Sequence, residues 1–380
     1  MNFTRTKAVV DDAIAKKQEN GVSLVVTRHG IPVLTHSAGY ADVETQKPFT
    51  EETICRIYSC TKLVTATACM LLMQRGQLDI GERLEVYLPA FSEPYFIRDG
   101  KKISSPSIRV RDLLNMTSGI PYPGEGAEGI EMTNDLWGRL DVSIQEGNSM
   151  TTRGFARGVA KNALMHTAGE HWMYGASADV LGALVETISG MTFAEFLEKE
   201  IFQPLEMSDT AFHVPINKRD RLATLYDSAG EKPTKPTYVN LCIYDFDDVP
   251  SFQSGGAGLF STAKDFSRLS AELSFGKVGI LSRRTVDFMR ENGLTPSQRV
   301  TYNWENLWGY GYGNLVRTLE NHNAAGSMAS EGAFGWDGWT GPYVLVDPKE
   351  ELSITLFLQR AGAGTTPLSR NVVNAIYGEL

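Results

Sequence analysis

Residues 56–76, "RIYSCTKLVTATACMLLMQRG", set Ser59 three positions ahead of Lys62 at the head of an apolar run that stops at Gly76. A helix continuing through Leu63, Thr67, Met70 and Leu71 presents Ser59 and Lys62 on one face, because side chains three apart lie one turn above each other. A hydroxyl beside an amine can act as a nucleophile. The amine perturbs or accepts the hydroxyl proton, and the backbone N–H groups and dipole of a helix start favour a developing oxyanion. The competing use of the same serine is as a helix cap, a position that serine favours.

Two further Ser-x-x-Lys pairs fit structural roles better. Ser261 and Lys264 lie in "FSTAKDFSRL", where Thr262 and Asp265 make a start like a capping box. Ser274 and Lys277 flank Gly276, a helix stop, and need not share a face. Ser59 is therefore the candidate nucleophile.

Other chemistries lack their residues. His166 and His171 are five apart, which on a helix turns them to different faces, and neither HExxH nor CxxC occurs, so no metal and no cofactor is expected. "GEGAEG" at 124–129 matches a dinucleotide fingerprint, but Pro121 and Pro123 stand where its strand has to be. The chain contains no Gly-x-Ser-x-Gly, which argues against an α/β-hydrolase elbow.

The elements that position Ser59 come from both chain ends. "VSLVVTRHGIPVLTHSAGYAD" reads as two β-rich runs around Arg28-His29-Gly30, and "GPYVLVDPKEELSITLFLQR" as two more around Asp347-Pro348-Lys349-Glu350. Between them "RVRDLLNMTSG", "SADVLGALVETISG", "TFAEFLEKEIFQPL" and "STAKDFSRLSAELSFG" carry helical periodicity. The expected fold is α+β, an α/β sandwich: an antiparallel sheet formed by both chain ends and flanked by helices, with a large, mainly helical insertion. Residues 1–75 and 305–380 make the sheet region, 76–304 the helical region, and the site lies at their interface. The polar segments 121–150 and 226–252 read as long loops that wall the site.

Composition narrows the partners. With 380 residues and 42% hydrophobic side chains the chain can bury a large core. A formal charge of −9 without a basic run excludes a nucleic-acid footprint. The longest apolar stretch, Leu63 to Met73, is too short for a membrane span. The amino terminus reads as a surface helix rather than a signal peptide, and Cys55, Cys60, Cys69 and Cys242 are irregularly spaced, so the expected setting is a reducing cytoplasm. The expected partner is a small uncharged or cationic molecule; the oligomeric state is unknown from the sequence.

Taken together, "RIYSCTK", "IRVRDLLNMTSGI", "AGEHWMYGASADVLGALVETISG", "SGGAGLFSTAKDFSRL", "LWGYGYG" and "GAFGWDGWTG" resemble, in order, the motifs of the serine β-lactamase and penicillin-binding-protein superfamily. The likeness is to its class C-like branch, with D-alanyl-D-alanine carboxypeptidases, the esterases called family VIII and related acyltransferases. It runs from about residue 20 to 360. The resemblance implies a β-lactamase/transpeptidase-like fold, Ser59 as acylated nucleophile, Lys62 as neighbouring base or proton shuttle, and Tyr174 as a second general acid/base. It further implies an oxyanion hole of the Ser59 and Trp339 backbone N–H groups, the latter following Gly338.

Two departures from class C β-lactamases bear on substrate. Ala176 stands where they carry an asparagine, and Trp336-Asp337-Gly338 replaces Lys-Thr-Gly. Contacts to a β-lactam amide and carboxylate are lost, and Asp337 is expected to repel the carboxylate. The Trp-x-Gly pattern resembles the esterase branch, and the missing second cation favours neutral Lys62 over a Tyr174 phenolate as base. Tyr122, Trp137, Trp172, Trp304, Trp308 and Tyr343, with Trp336 and Trp339, suggest an apolar acyl or alcohol pocket. The expected activity is hydrolysis of carboxylic esters and, by extension, of D-amino-acid amides or peptides. The alternatives are acyl transfer to an alcohol, weak β-lactamase activity, or binding without turnover.

Overall fold

The β-rich runs near the two chain ends pair with each other. In a computed structural model that describes residues 2–227 and 240–380, eight strands form one sheet. They are β1 (Gly21–Arg28), β2 (Ile31–Asp42), β3 (Lys47–Pro48), β4 (Tyr310–Gly313), β5 (Val316–Leu319), β6 (Phe334–Asp337), β7 (Tyr343–Asp347) and β8 (Leu352–Leu358), in the order β3-β2-β1-β8-β7-β6-β5-β4. Every pairing is antiparallel. The register sets Val25 opposite Thr355 and Tyr343 opposite Leu356.

Six helices matter for the site and its support: α1 (Thr4–Ala15), α2 (Thr61–Gln74), α3 (Glu128–Gln145), α4 (Ser177–Ser189), α5 (Ala263–Phe275) and α6 (Pro367–Tyr377). One face of the sheet, with Val22, Leu24, Val26, Ile354 and Leu356, is covered by α1 and α6 through Val10, Val372 and Ile376. On the other face Phe357 meets Phe266 of α5, and Ser270 of α5 satisfies the hydroxyls of Ser353 and Thr355. Helix α5 lies inside the 76–304 span yet packs on the sheet, so the sheet region borrows one layer from the middle of the chain.

Segment 121–150, expected to be a loop, contains the 18-residue helix α3. Thr133, Leu136, Trp137 and Leu140 form the buried stripe that holds it, a spacing the polar and glycine residues around it obscure. Of the second expected loop, 226–252, residues 228–239 lie outside the described part. Residues 240–252 are pinned by the Arg56–Asp245 ion pair at 2.5 Å and by a hydrogen bond from Tyr244 to Asp141 of α3. Among the described residues no single helix is long and apolar enough to cross a membrane.

Helix α2 is buried from Thr61 to Leu72 and runs between α4 and the β6 side of the sheet. Its apolar character on every side accords with that central position.

Candidate active site

Ser59 lies in a tight turn, Tyr58–Cys60, that runs directly into α2. The residue flanking α2 is Cys60, without a side-chain cap bond, so Ser59 is free of the capping role. Tyr58 has φ 40°, a left-handed conformation that costs an aromatic residue free energy and must be held from outside. The hold is visible: its ring is 2% exposed and meets Trp339 edge to face at 5.2 Å. Gly338 allows that approach, since a Cβ there would stand 2.2 Å from the carbonyl oxygen of Ile57. The strand end that carries Trp339 therefore abuts the nucleophile turn.

Lys62, one turn into α2, is fully buried. Its Nζ lies 3.1 Å from Ser59 Oγ, 3.1 Å from Tyr122 Oη and 2.8 Å from the carbonyl oxygen of Gly256. Burial lowers the Lys62 amine to about 7, opposed chiefly by the nearby carboxylate of Asp179. A neutral amine is thus available near neutral pH in hydrogen-bond contact with the hydroxyl.

Tyr174 closes the other side. Its hydroxyl accepts a hydrogen bond from the Trp336 indole N–H at 3.0 Å, and the two rings stack with centroids 5.6 Å apart. Burial holds the phenol well above its ordinary range and outweighs the hydrogen bonding from Ser59 and Trp336 that eases ionisation. Lys62 Nζ sits 4.6 Å from the Tyr174 ring centroid, a cation–π distance. Lys62 therefore addresses the face of Tyr174 and the hydroxyl of Tyr122. Tyr122, placed by the sequence only in the aromatic wall, proves a direct partner of the lysine. Its one sequence signal is its place between Pro121 and Pro123 just after "TSGI", which fixes the backbone there.

The remaining expected residues divide. Trp336, 3% exposed, packs on Tyr174, while Ala176 is buried at the start of α4. Asp337, expected to repel a β-lactam carboxylate, has partners of its own. Its carboxylate accepts a hydrogen bond from Thr365 at 2.6 Å and pairs with the buried Arg317 at 3.4 Å. Successive strand residues alternate sides, which separates Asp337 from the direction of Trp336 and Tyr174. Its repulsion of an anion is accordingly offset by a cation 20 residues earlier in the chain.

Of the aromatic residues, Trp304 stands 5.4 Å from Tyr174 and 5.1 Å from Trp172 and is 43% exposed, forming a wall at the mouth. Trp308 is exposed. Trp137 belongs to the core with Phe155 and Phe252, and Tyr343 is buried against Arg317. The other Ser-x-x-Lys pairs are taken apart: Ser261 Oγ bonds to Thr210, Lys264 pairs with Glu52, and Ser274 Oγ bonds back to Ala271. His166 and His171 face each other with ring centroids 5.2 Å apart. Among the described residues no group of three or more His, Cys, Asp or Glu is disposed to hold a metal ion.

A serine hydroxyl, a neutral amine, two buried phenols and an indole N–H thus converge at one point. The arrangement suits proton removal from Ser59 and proton return to a departing group.

The chain is similar to known proteins along nearly its whole length. The family profile described as Beta-lactamase matches residues 6–378. The chain is 28% identical to esterase EstB of Burkholderia gladioli, over 98% of this chain and 94% of that protein. It is 25% identical to the acyltransferase calJ of Penicillium decumbens, over 93% of this chain and 86% of that one. Among solved structures it resembles EstCE1, described as a hydrolase with promiscuous acyltransferase activity, with a TM-score of 0.82, 25% identity and 98% of each chain covered.

Proposed function

The chain belongs to the beta-lactamase family, and from that premise we propose that it is a serine hydrolase that cleaves carboxylic esters, a carboxylesterase, through an acyl-enzyme on Ser59. The contact between the fully buried Lys62 Nζ and the partly exposed Ser59 Oγ, 3.1 Å, carries this reading. Neutral Lys62 takes the hydroxyl proton as Ser59 Oγ bonds to the ester carbonyl carbon. The backbone N–H groups of Ser59 and Trp339 would hold the resulting oxyanion. The alcohol leaves with a proton returned from the Lys62–Tyr122–Tyr174 cluster, and water then repeats the sequence to release the acid and free Ser59. Tyr174, kept protonated by burial, serves as donor rather than base.

The substrate class rests on Trp336. An indole stacked on Tyr174 replaces a cation at the place where a β-lactam carboxylate would need one, whereas an uncharged ester has no use for that charge. Trp304 at the mouth favours one second reading, transfer of the acyl group to a bulky apolar alcohol that packs on the indole and excludes water. Both the acyltransferase relative and EstCE1 support keeping it. Four buried cysteine thiols, none in a disulfide, suit a cytoplasmic setting for this small-molecule chemistry.

The test is a comparison of p-nitrophenyl butyrate with a chromogenic cephalosporin. The ester should show the higher kcat/KM by about a hundredfold or more, since each missing charged contact removes about 1.5–3 kcal/mol from the lactam. Faster cephalosporin turnover would overturn the assignment.

A further inference from the structure

Asp179 lies in the first turn of α4, five residues after Tyr174 and beside the apolar Ala178, Val180 and Leu181, and it is completely buried. Its Oδ1 accepts hydrogen bonds from Ser254 Oγ at 2.5 Å and from the N–H of Gly256 at 3.2 Å. Its Oδ2 has no hydrogen-bond partner among the described residues. A buried carboxylate oxygen left without a donor is costly, so its retention calls for a use.

The strap that Asp179 holds is the one that holds Lys62. The carbonyl of Gly256 receives Lys62 Nζ at 2.8 Å, and the neighbouring carbonyl of Gly255 receives Thr65 Oγ1 at 2.7 Å. Residues 254–256 are thereby clamped between α2 and α4. The approach is close enough to require glycine: a Cβ on Gly256 would lie 2.8 Å from Asp179 Oδ2 and 2.5 Å from Tyr122 Oη. The unpaired carboxylate oxygen and the phenol that bonds Lys62 therefore converge on the same α-carbon.

We propose that Asp179 is a positioning residue for proton transfer from Ser59: it fixes the Ser254–Gly256 strap whose carbonyl orients Lys62, and it sets a negative charge behind the Lys62–Tyr122 pair. This rests on the acyl-enzyme reading of Ser59. The groups beside Lys62 are Ser59 from its own segment, Tyr122 from the loop after Gly119, Tyr174 ahead of α4 and Asp179 on α4, and Cys60 and, on β6, Asp337 also act on it electrostatically. The buried Cys60 thiol is pushed up and stays neutral, both phenols are held neutral by burial, and Asp337 is paired with Arg317. Asp179, whose carboxyl is raised by burial against the donors Ser254 and Gly256, is the first of the charges that oppose the fall of Lys62.

The experiment follows the rate at which p-nitrophenyl ethylphosphonate labels Ser59, located by peptide mapping, as a function of pH in wild type, Asp179→Asn and Ser254→Ala. Asparagine keeps the shape and removes the charge. In Asp179→Asn the acid limb should move to lower pH by about one unit, and the plateau rate should fall about tenfold as the anchoring of the strap weakens. In Ser254→Ala the buried carboxyl of Asp179 loses the donor that most favours its charged form, so the limb should move to lower pH, as in Asp179→Asn, while the plateau falls. An unmoved limb in Asp179→Asn overturns the proposal. If Asp179→Asn does not fold, as judged by its thermal transition, an unmoved limb in Ser254→Ala overturns it instead. Failure of the wild-type protein to label at Ser59 would overturn the acyl-enzyme reading itself, a separate result.

Discussion

Lys62 Nζ stands 3.1 Å from Ser59 Oγ with the amine fully buried and lowered to about 7. That relationship turns an ordinary hydroxyl into a candidate nucleophile, because the base is next to it and burial favours its neutral form. The contact, and the groups that support it, lead to specific consequences for activity, pH dependence and stability.

Ser59→Ala should abolish turnover of p-nitrophenyl butyrate, whereas Ser261→Ala should stay within about fivefold of wild type, the size of effect expected when a variant leaves the reacting groups in place. Ser261 Oγ is engaged by Thr210 and its Lys264 by Glu52, so neither is available for chemistry. Steady-state rates of the two purified variants decide it.

Lys62→Ala and Tyr174→Phe should each lower kcat by about a hundredfold or more. Their combination should cost much less than the product of the two, because both handle the same proton. Tyr122→Phe removes one hydrogen bond to Lys62 but keeps the ring, so a loss of about tenfold is expected. A double-mutant cycle on kcat measures the coupling, and strict additivity would mean that one of the residues is only structural.

The pH dependence has a defined sign. Lys62 is lowered from the usual amine range, and only its neutral form accepts the Ser59 proton. Thus kcat/KM for a neutral ester should rise as pH is raised through about 7 and level off above it. A limb near the ordinary lysine range would show that water reaches Lys62, and Lys62→Ala should remove the limb.

Much of this is legible in the sequence, for reasons that differ by residue. The sheet from both chain ends can be read because β1 and β8 are short β-rich runs bounded by turn residues, and the Ser59–Lys62 pair because both lie on one helix with a fixed repeat. Contacts among Tyr122, Asp179 and Gly256 cannot. They join segments up to about 130 residues apart, and their meeting depends on how α2 and α4 cross the strap rather than on any local period. The left-handed Tyr58 is hidden for a related reason: its conformation is imposed by Trp339 and the β6 end, not by a glycine in the sequence.

The Asp337–Arg317 pair is another case of distance in sequence concealing a partner, and it predicts a stability effect. Arg317 is 3% exposed, with its Asp337 partner at 3.4 Å, so Asp337→Ala leaves a buried cation short of its counter-ion. The loss should be about 3 kcal/mol in the denaturant-unfolding free energy, at the lower end for a broken buried pair. A change below about 1 kcal/mol would place the pair in the solvent-screened class.

The most direct measurement is intact-mass spectrometry of the protein after p-nitrophenyl ethylphosphonate, followed by peptide mapping. One phosphonyl group should be added per chain, on the peptide that contains Ser59, with release of one equivalent of p-nitrophenol, loss of esterase activity in step with labelling, and no adduct in Ser59→Ala. An adduct on any other serine that abolishes activity, or full esterase activity in a protein quantitatively labelled at Ser59, would contradict the account.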